Sequence, residues 1–431
     1  MKRYGPSALW LLFLAAFILI GVPDASFHGD ETSFIYSSRD YAALFLRGEP
    51  QNVQIDLPVD DDVEYLRLVD GSLARYSIGL AWHLAGYSES DLPTHNFNWT
   101  TGYAENLADG RIPGLPLLTV ARLPSATFLT LSVAVMFALG WRFGGQAMAF
   151  VVSGLYALNP IIVLNGRRAL QEGGLLCFGL LTMLVGAIIS QRRERGHVPL
   201  ALWIGLIVAG ALALVSKNNG FVYVAAAYLW ILAPDLPRPR ALLRTAGRLV
   251  ICGALTIALF VALSPGMWRD PVRNTLVAAW ARVEAMQDQA AHDPEAPTTL
   301  ARRASDILTQ SFLRPLDHWE SGSPNAAEGQ SDLIAAYDAS PISGIHFGAV
   351  LGVPLTLLAI LGVVASLSAR LRPYRSAALA RGLLLWLGVN IVVLLGLPLP
   401  WQRYFLSLIP VATILAAVGL WAVVGWARAA A

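Results

Sequence analysis

Long apolar runs alternate along the chain with polar stretches that are either short and basic or long and acidic. Runs near the roughly 20 residues that a helical bilayer crossing needs fall at 7–22, 117–140, 145–164, 169–190, 199–215, 219–234, 248–265, 346–368, 382–398 and 404–427. The pattern predicts an all-α polytopic membrane protein of about ten transmembrane helices, with 219–234 the weakest of the runs. Two pieces of the first long polar stretch repeat apolar residues at helical spacing. Over Thr32 to Leu46 these are Phe34, Tyr41 and Phe45, and over Ser72 to Tyr87 they are Leu73, Tyr76, Leu80, Leu84 and Tyr87. Both pieces are too short and too charged to span, so they are expected to lie in the membrane interface or to pack on the outer ends of the spans. The first run, behind Lys2 and Arg3 and before Pro23-Asp24-Ala25-Ser26, also has the outline of a signal peptide.

Composition agrees with the pattern. Of 431 residues, 55% are hydrophobic and 14% charged, and the mean hydropathy is +0.54, which excludes an ordinary soluble domain. Nothing points to nucleic acid. The net charge of +2 conceals a strong segregation: stretches 23–116 and 266–343 hold 15 and 11 of the 29 acidic residues but only 5 and 6 of the 31 basic ones. By the positive-inside rule both are extracytoplasmic, and the Arg-rich short loops and both termini are cytoplasmic. The organisation expected is a catalytic membrane module over 1–265, a second outer loop over 266–343 and C-terminal helices over 344–431. Cys177 and Cys252 lie in separate apolar runs and read as small buried hydrophobes.

The candidate chemistry sits at the predicted outer ends of the spans. His28-Gly29-Asp30-Glu31 follows the first run directly. Asp30 is placed either to cap the next helix or to act as a general base whose basicity partial shelter from water raises. Glu31 orients it, or is a first-turn acid favoured by the helix dipole. Arg122, Arg167, Arg168, Lys217 and Arg403 all fall at outer span ends, where positive charge needs a partner or a task. Lys217, Arg403, Arg168 and Arg167 suit either a phosphate clamp or contact with lipid headgroups. Glu172 either pairs with Arg168 one turn away or faces Asp30 across a cavity. Clustered carboxylates leave a divalent cation chemically open, but no metal-ligand spacing is present. A transporter or flippase of lipid-linked or polar substrates is the competing class. It would place ionisable groups near the midplane and show inverted repeats, and neither is visible.

In order along the chain, Asp30-Glu31-Thr32, Arg122-Leu123-Pro124-Ser125, Asn159-Pro160, Arg167-Arg168-Ala169-Leu170-Gln171-Glu172, Lys217-Asn218-Asn219-Gly220, Ser264-Pro265-Gly266-Met267-Trp268 and Arg403-Tyr404 resemble the motifs of the GT-C membrane glycosyltransferases. The resemblance is to the branch of the protein O-mannosyltransferases and lipid A aminoarabinose transferases. Glu172 stands where Asp is usual. Ser33 stands where the aminoarabinose transferases carry Arg, leaving Arg39 or Arg75 to replace it. The Trp-Trp-Asp motif of oligosaccharyltransferases is absent, which argues against transfer of a whole oligosaccharide. The resemblance implies an enzyme of the bacterial cytoplasmic membrane, its active site facing outside. Such an enzyme moves a hexose or pentose from a polyprenyl-phosphate donor to a hydroxyl of a protein, lipid or polysaccharide, by an inverting single displacement. Asp30 would be the base, with Glu31 and Glu172 beside it. Lys217, Arg403, Arg168, Arg167, Tyr404 and Arg75 would bind the donor phosphate, a leaving group that needs no general acid.

Overall fold

A computed structural model describes residues 5–59, 61–320, 329–371, 374 and 376–430. Lys2, Arg3, Arg372 and Arg375, which contribute to the expected charge alternation, lie outside these residues, as does the side chain of Arg428. Among the described residues there are no strands. In chain order the helices are α1 (Gly5–Ile20), α2 (Gly29–Ser37), α3 (Asp62–Val69), α4 (Ser72–Leu84), α5 (Tyr103–Ala108), α6 (Leu115–Ala157), α7 (Pro160–Arg167), α8 (Glu172–Glu194) and α9 (Leu200–Ser216). They continue with α10 (Gly220–Leu232), α11 (Pro239–Ala262), α12 (Pro271–His292), α13 (Leu300–Thr309), α14 (Ser331–Ala339), α15 (Gly348–Leu367), α16 (Ala377–Gly396) and α17 (Leu408–Ala430).

Six of these, α6, α8, α11, α15, α16 and α17, belong to stretches long and apolar enough to cross a membrane, and three shorter apolar stretches carry α1, α9 and α10. Nine of the ten apolar runs thus each coincide with a helix. The run at 145–164 does not: it is split between the second limb of α6 and α7, so these helices do not establish a count of ten crossings. Gly144 and Gly145 have non-helical backbone, and Gly145 takes φ +73°, a conformation glycine adopts without steric cost. The chain folds back there, bringing Phe150 edge-on to Phe137 at 5.7 Å. The limb then stops at Leu158, where the Asn159 side chain accepts from the Ile161 amide at 3.0 Å and Pro160 opens α7.

The main core is built from α1, α6, α8, α10, α16 and α17 around fully buried Trp230, Trp386, Tyr156 and Tyr223. A second core (Phe27, Phe34, Ile35, Ile78, Trp82 and Phe97 with Leu117 and Leu118) joins the 23–116 segment to the start of α6. That segment is therefore a packed cap on one end of the bundle. The expected helix over 32–46 is shorter: α2 ends at Ser37, and a single π turn, Ala42–Leu46, follows. In α4 the face turned inward carries Ala74, Arg75, Ile78, Gly79 and Trp82, while Leu80 and Leu84 of the expected apolar face are exposed. This leaves an apolar stripe outward and a packed face inward, as an interfacial helix seated on the bundle would have. The 266–343 segment closes over the same end. The Asn274 amide donates to Ile55 O at 3.2 Å, and Arg303 in α13 donates to Leu395 O in the last turn of α16 at 2.9 Å.

Candidate active site

The start of α2 is fixed by a reciprocal capping box. The His28 imidazole accepts from the Asp30 amide at 3.1 Å, and the Glu31 carboxylate accepts from the His28 amide at 3.1 Å. His28, and not Asp30, is thus the cap. The Asp30 side chain is left free of helix duty and lines a cavity of about 620 Å³. Glu31 points the other way. It is fully buried and bidentate with Arg122 of α6, at 2.7 and 2.8 Å, and also accepts from the Ala169 amide at 2.8 Å. Glu31 does not line the cavity.

Three further candidates do: Glu172, Lys217 and Arg403. Glu172 opens α8, and its partner is Lys217 at 2.6 Å, not Arg168. Lys217 occupies the turn between α9 and α10. Gly71 holds that turn close, since a Cβ there would fall 2.3 Å from Ser216 O. Arg403 sits in a 3₁₀ turn, Gln402–Ser407, that leads into α17, and it donates to Asp30. Tyr404 lies buried behind both cations, its ring 5.4 Å from Lys217 Nζ and 6.0 Å from the Arg403 guanidinium carbon. Residues separated by 373 positions are in this way brought into direct contact.

The remaining candidates are placed elsewhere. Arg167 is buried and donates to Phe17 O, Ile18 O and Ile342 O at 2.5 to 2.9 Å, closing the last turn of α1. Arg168 donates to Ser26 O, Ser26 Oγ and His318 O at 2.9 to 3.0 Å, and lines a separate cavity of about 200 Å³. Arg75 donates to Leu66 O at 3.0 Å and faces Asp40 at 3.5 Å. None of the three lines the cavity that holds Asp30. Their guanidinium groups are taken up by backbone carbonyls and an internal acid, so at these positions the geometry is that of packing.

The structure adds residues that spacing did not single out. Glu320 lies 2.8 Å from His28 Nε2 and 2.8 Å from Arg403 Nε. The Arg403 Nε–H does not aim at an acceptor, so the second contact is an ion pair without hydrogen-bond alignment. His28, Glu320, Arg403 and Asp30 thereby form a closed ring. Arg282 of α12 reaches into the cavity and donates to Tyr404 OH at 2.5 Å. Burial alone would raise the Asp30 carboxyl, but Arg403 and then His28 outweigh it and hold Asp30 below its ordinary 3.8. The expectation of raised basicity is therefore reversed here, because the clamp residue is also the partner of the base. Asp70, also on the cavity wall, is pushed up by burial. Among the described residues no group of three or more His, Cys, Asp or Glu side chains is placed to hold a metal ion.

The cavity wall combines the carboxylates Asp30, Asp62, Asp70 and Glu172, the cations Arg111, Lys217, Arg282 and Arg403, and the aromatic side chains of Tyr36, Tyr65, Phe97 and Trp99, a lining suited to a sugar with an anionic leaving group. The fold is shared with ArnT of Cupriavidus metallidurans, solved bound to undecaprenyl phosphate. That likeness has a TM-score of 0.57 at 14% identity and covers 97% of this chain and 60% of that one. It is shared also with the oligosaccharyltransferase of Archaeoglobus fulgidus, at a TM-score of 0.51 and 13% identity, over 97% of this chain and 50% of that one. The chain thus spans only one half to three fifths of the length of these neighbours, and both likenesses speak to the GT-C fold. No curated protein sequence matches the chain. The family described as dolichyl-phosphate-mannose-protein mannosyltransferase matches residues 64–279, which include Glu172 and Lys217. On that match, covering half of its length, this integral membrane protein belongs to the dolichyl-phosphate-mannose-protein mannosyltransferase family of glycosyltransferases.

Proposed function

We propose that the protein transfers a sugar from a polyprenyl-phosphate donor to a hydroxyl acceptor, with inversion at the anomeric carbon and with Asp30 as general base. The observation that carries the reading is the convergence of Asp30, Arg403 and Lys217 on one cavity of about 620 Å³. In the reaction the acceptor oxygen forms a bond to the anomeric carbon as the bond from that carbon to the phosphate oxygen breaks. The hydroxyl proton passes to Asp30, and the lipid phosphate leaves with the electron pair, stabilised by Arg403 and Lys217. Glu172 holds Lys217 in place, and Arg282 and Tyr404 back the phosphate side.

The Asp30–Arg403 pair gives this scheme an order of events. Without donor, Arg403 depresses the basicity of Asp30. A donor phosphate competes for the guanidinium, which suits phosphate oxygens in bidentate fashion. Once Arg403 turns to the phosphate, burial prevails and Asp30 becomes the stronger base.

The test is mass spectrometry of the purified protein for co-purifying polyprenyl-phosphate sugar, followed by release of polyprenyl phosphate on addition of acceptor-containing membranes. Wild type should carry such a lipid and turn it over, and Asp30→Asn should carry it without turnover. Turnover by Asp30→Asn at the wild-type rate would remove the base assignment.

A further inference from the structure

A second large cavity, of about 640 Å³, lies at the other end of α8. Its wall includes Arg192 and Arg195, and the helical rise from Glu172 to Arg192 places it about 30 Å from the Asp30 cavity, one hydrocarbon thickness away. Phe137, Trp141, Leu184 and Ile188 form its apolar side, and Arg142 joins the two other arginines on the polar side.

The charge here is uncompensated. Arg142 donates to the neutral amide oxygen of Gln191 at 2.6 Å, and among the described residues no acid pairs with Arg142, Arg192 or Arg195. Outside the two acidic outer segments the chain holds three acids, Glu172, Glu194 and Asp235. Glu172 is at the far end with Lys217. Asp235 is taken by Arg193 and Thr245, and Glu194 accepts from Ser376 and the Ala378 amide at 3.2 Å each. Arg193, between the two free arginines, therefore shows what a balanced residue looks like at this position. Three guanidinium groups on one side of a cavity whose other side is apolar match a ligand with a phosphate head and acyl chains.

We infer that this cavity is a binding site for the headgroup of an anionic phospholipid, separate from the donor site. Positive charge on these loops has a plainer topological use, but a diffuse charge effect would depend on total charge and not on this cavity.

Native mass spectrometry of the full chain, with phosphatidylglycerol and phosphatidylcholine of matched acyl chains, separates the two. Wild type should retain one phosphatidylglycerol with at least about tenfold preference. Combined Arg142→Gln, Arg192→Gln and Arg195→Gln should abolish that preference. Removing equal charge by Arg238→Gln, Arg240→Gln and Arg244→Gln, all exposed on the neighbouring loop and helix, should leave it intact. Ile188→Trp, which crowds the apolar side of the cavity and keeps every charge, should reduce it, and covers the case in which the triple variant fails to fold. Equal losses from the two triple variants, or full retention by Ile188→Trp, would overturn the inference. Displacement of the lipid by millimolar inorganic phosphate would overturn the lipid assignment in favour of a free-anion site.

Discussion

Lys217 and Glu172 allow the stability and the chemistry of the site to be measured apart. Their side chains are 11% and 2% exposed and their charged atoms are 2.6 Å apart. Replacing Lys217 by Met removes a cation of similar length and strands Glu172 in a buried position. Breaking one side of a buried pair costs about 3–5 kcal/mol, whereas replacing both partners by apolar residues is often neutral or stabilising. Lys217→Met should accordingly lose about 3–5 kcal/mol in reversible unfolding in mixed detergent, and Lys217→Met with Glu172→Leu should recover nearly all of it. Donor use should behave differently. If Lys217 contacts the leaving phosphate, a charge-assisted hydrogen bond worth about 1.5–3 kcal/mol disappears in both variants. Both should then need roughly tenfold to a hundredfold more donor for half-maximal polyprenyl-phosphate release. Glu172→Gln alone, which keeps the cation, is the control for the carboxylate. A double variant that is stable and has wild-type donor dependence would refute the clamp assignment, reducing Lys217 to a counter-ion of Glu172.

Three further outcomes are expected. Asp30→Asn should stay folded with at most a modest loss of melting temperature, because the cap belongs to His28, Glu320 still faces Arg403 and the amide oxygen still accepts from it, while transfer is abolished; failure to fold would show Asp30 to be structural. Glu31, which burial would raise, is held below its ordinary 4.5 by Arg122. Its contribution is therefore complete above pH 4.5 and lost as pH falls through the lower folded-state value, so melting temperature should be level from neutral pH to about 4.5 and drop below it, with Glu31→Gln flattening that acid limb. Gly71→Ala should displace the Ser216–Lys217 turn, since the new methyl would overlap Ser216 O. Overpacking of this kind costs about 1–3 kcal/mol, and donor dependence should worsen even where a thermal melt shows the protein folded.

The apolar runs and the sorting of charge were legible because they follow from what a bilayer accepts, and the two acidic segments close over the same end of the bundle. Asp30, Lys217 and Arg403 could be placed on one side by the same logic, which is why three residues far apart in sequence were nominated together. Side-chain pairing was not legible, since it is decided by tertiary contact. Nothing local distinguishes Arg403, which meets Asp30, from Arg167, which closes the last turn of α1. Histidine is an uncommon helix cap, so Asp30 was the natural candidate for that duty. Glu320 lies in an irregular stretch without periodicity and shows its part only through His28 and Arg403. The helix expected over 32–46 stops early because Ser37 and Ser38 bond back to the carbonyls of Phe34 and Ile35 at 3.3 and 2.6 Å, offering the backbone an alternative to continued helix.

The collar around the exit of α1 bears on how the protein meets membranes of different thickness. Arg167 grips Phe17 O and Ile18 O, Arg122 reaches Val22 O at 3.2 Å, and a Cβ on Gly21 would fall 2.4 Å from the Arg167 guanidinium carbon. That end cannot slide or tilt without tearing out buried charge. At 16 residues α1 is about 24 Å long, short of a typical hydrocarbon slab of about 30 Å. Any hydrophobic mismatch must then be absorbed at the Gly5 end, by local thinning of the bilayer. The carboxylate ten residues beyond Ile20 keeps its depth relative to the lipid phosphates of its own leaflet. Lengthening the acyl chains of a reconstituted bilayer should consequently strain the opposite leaflet first and spare the reacting groups.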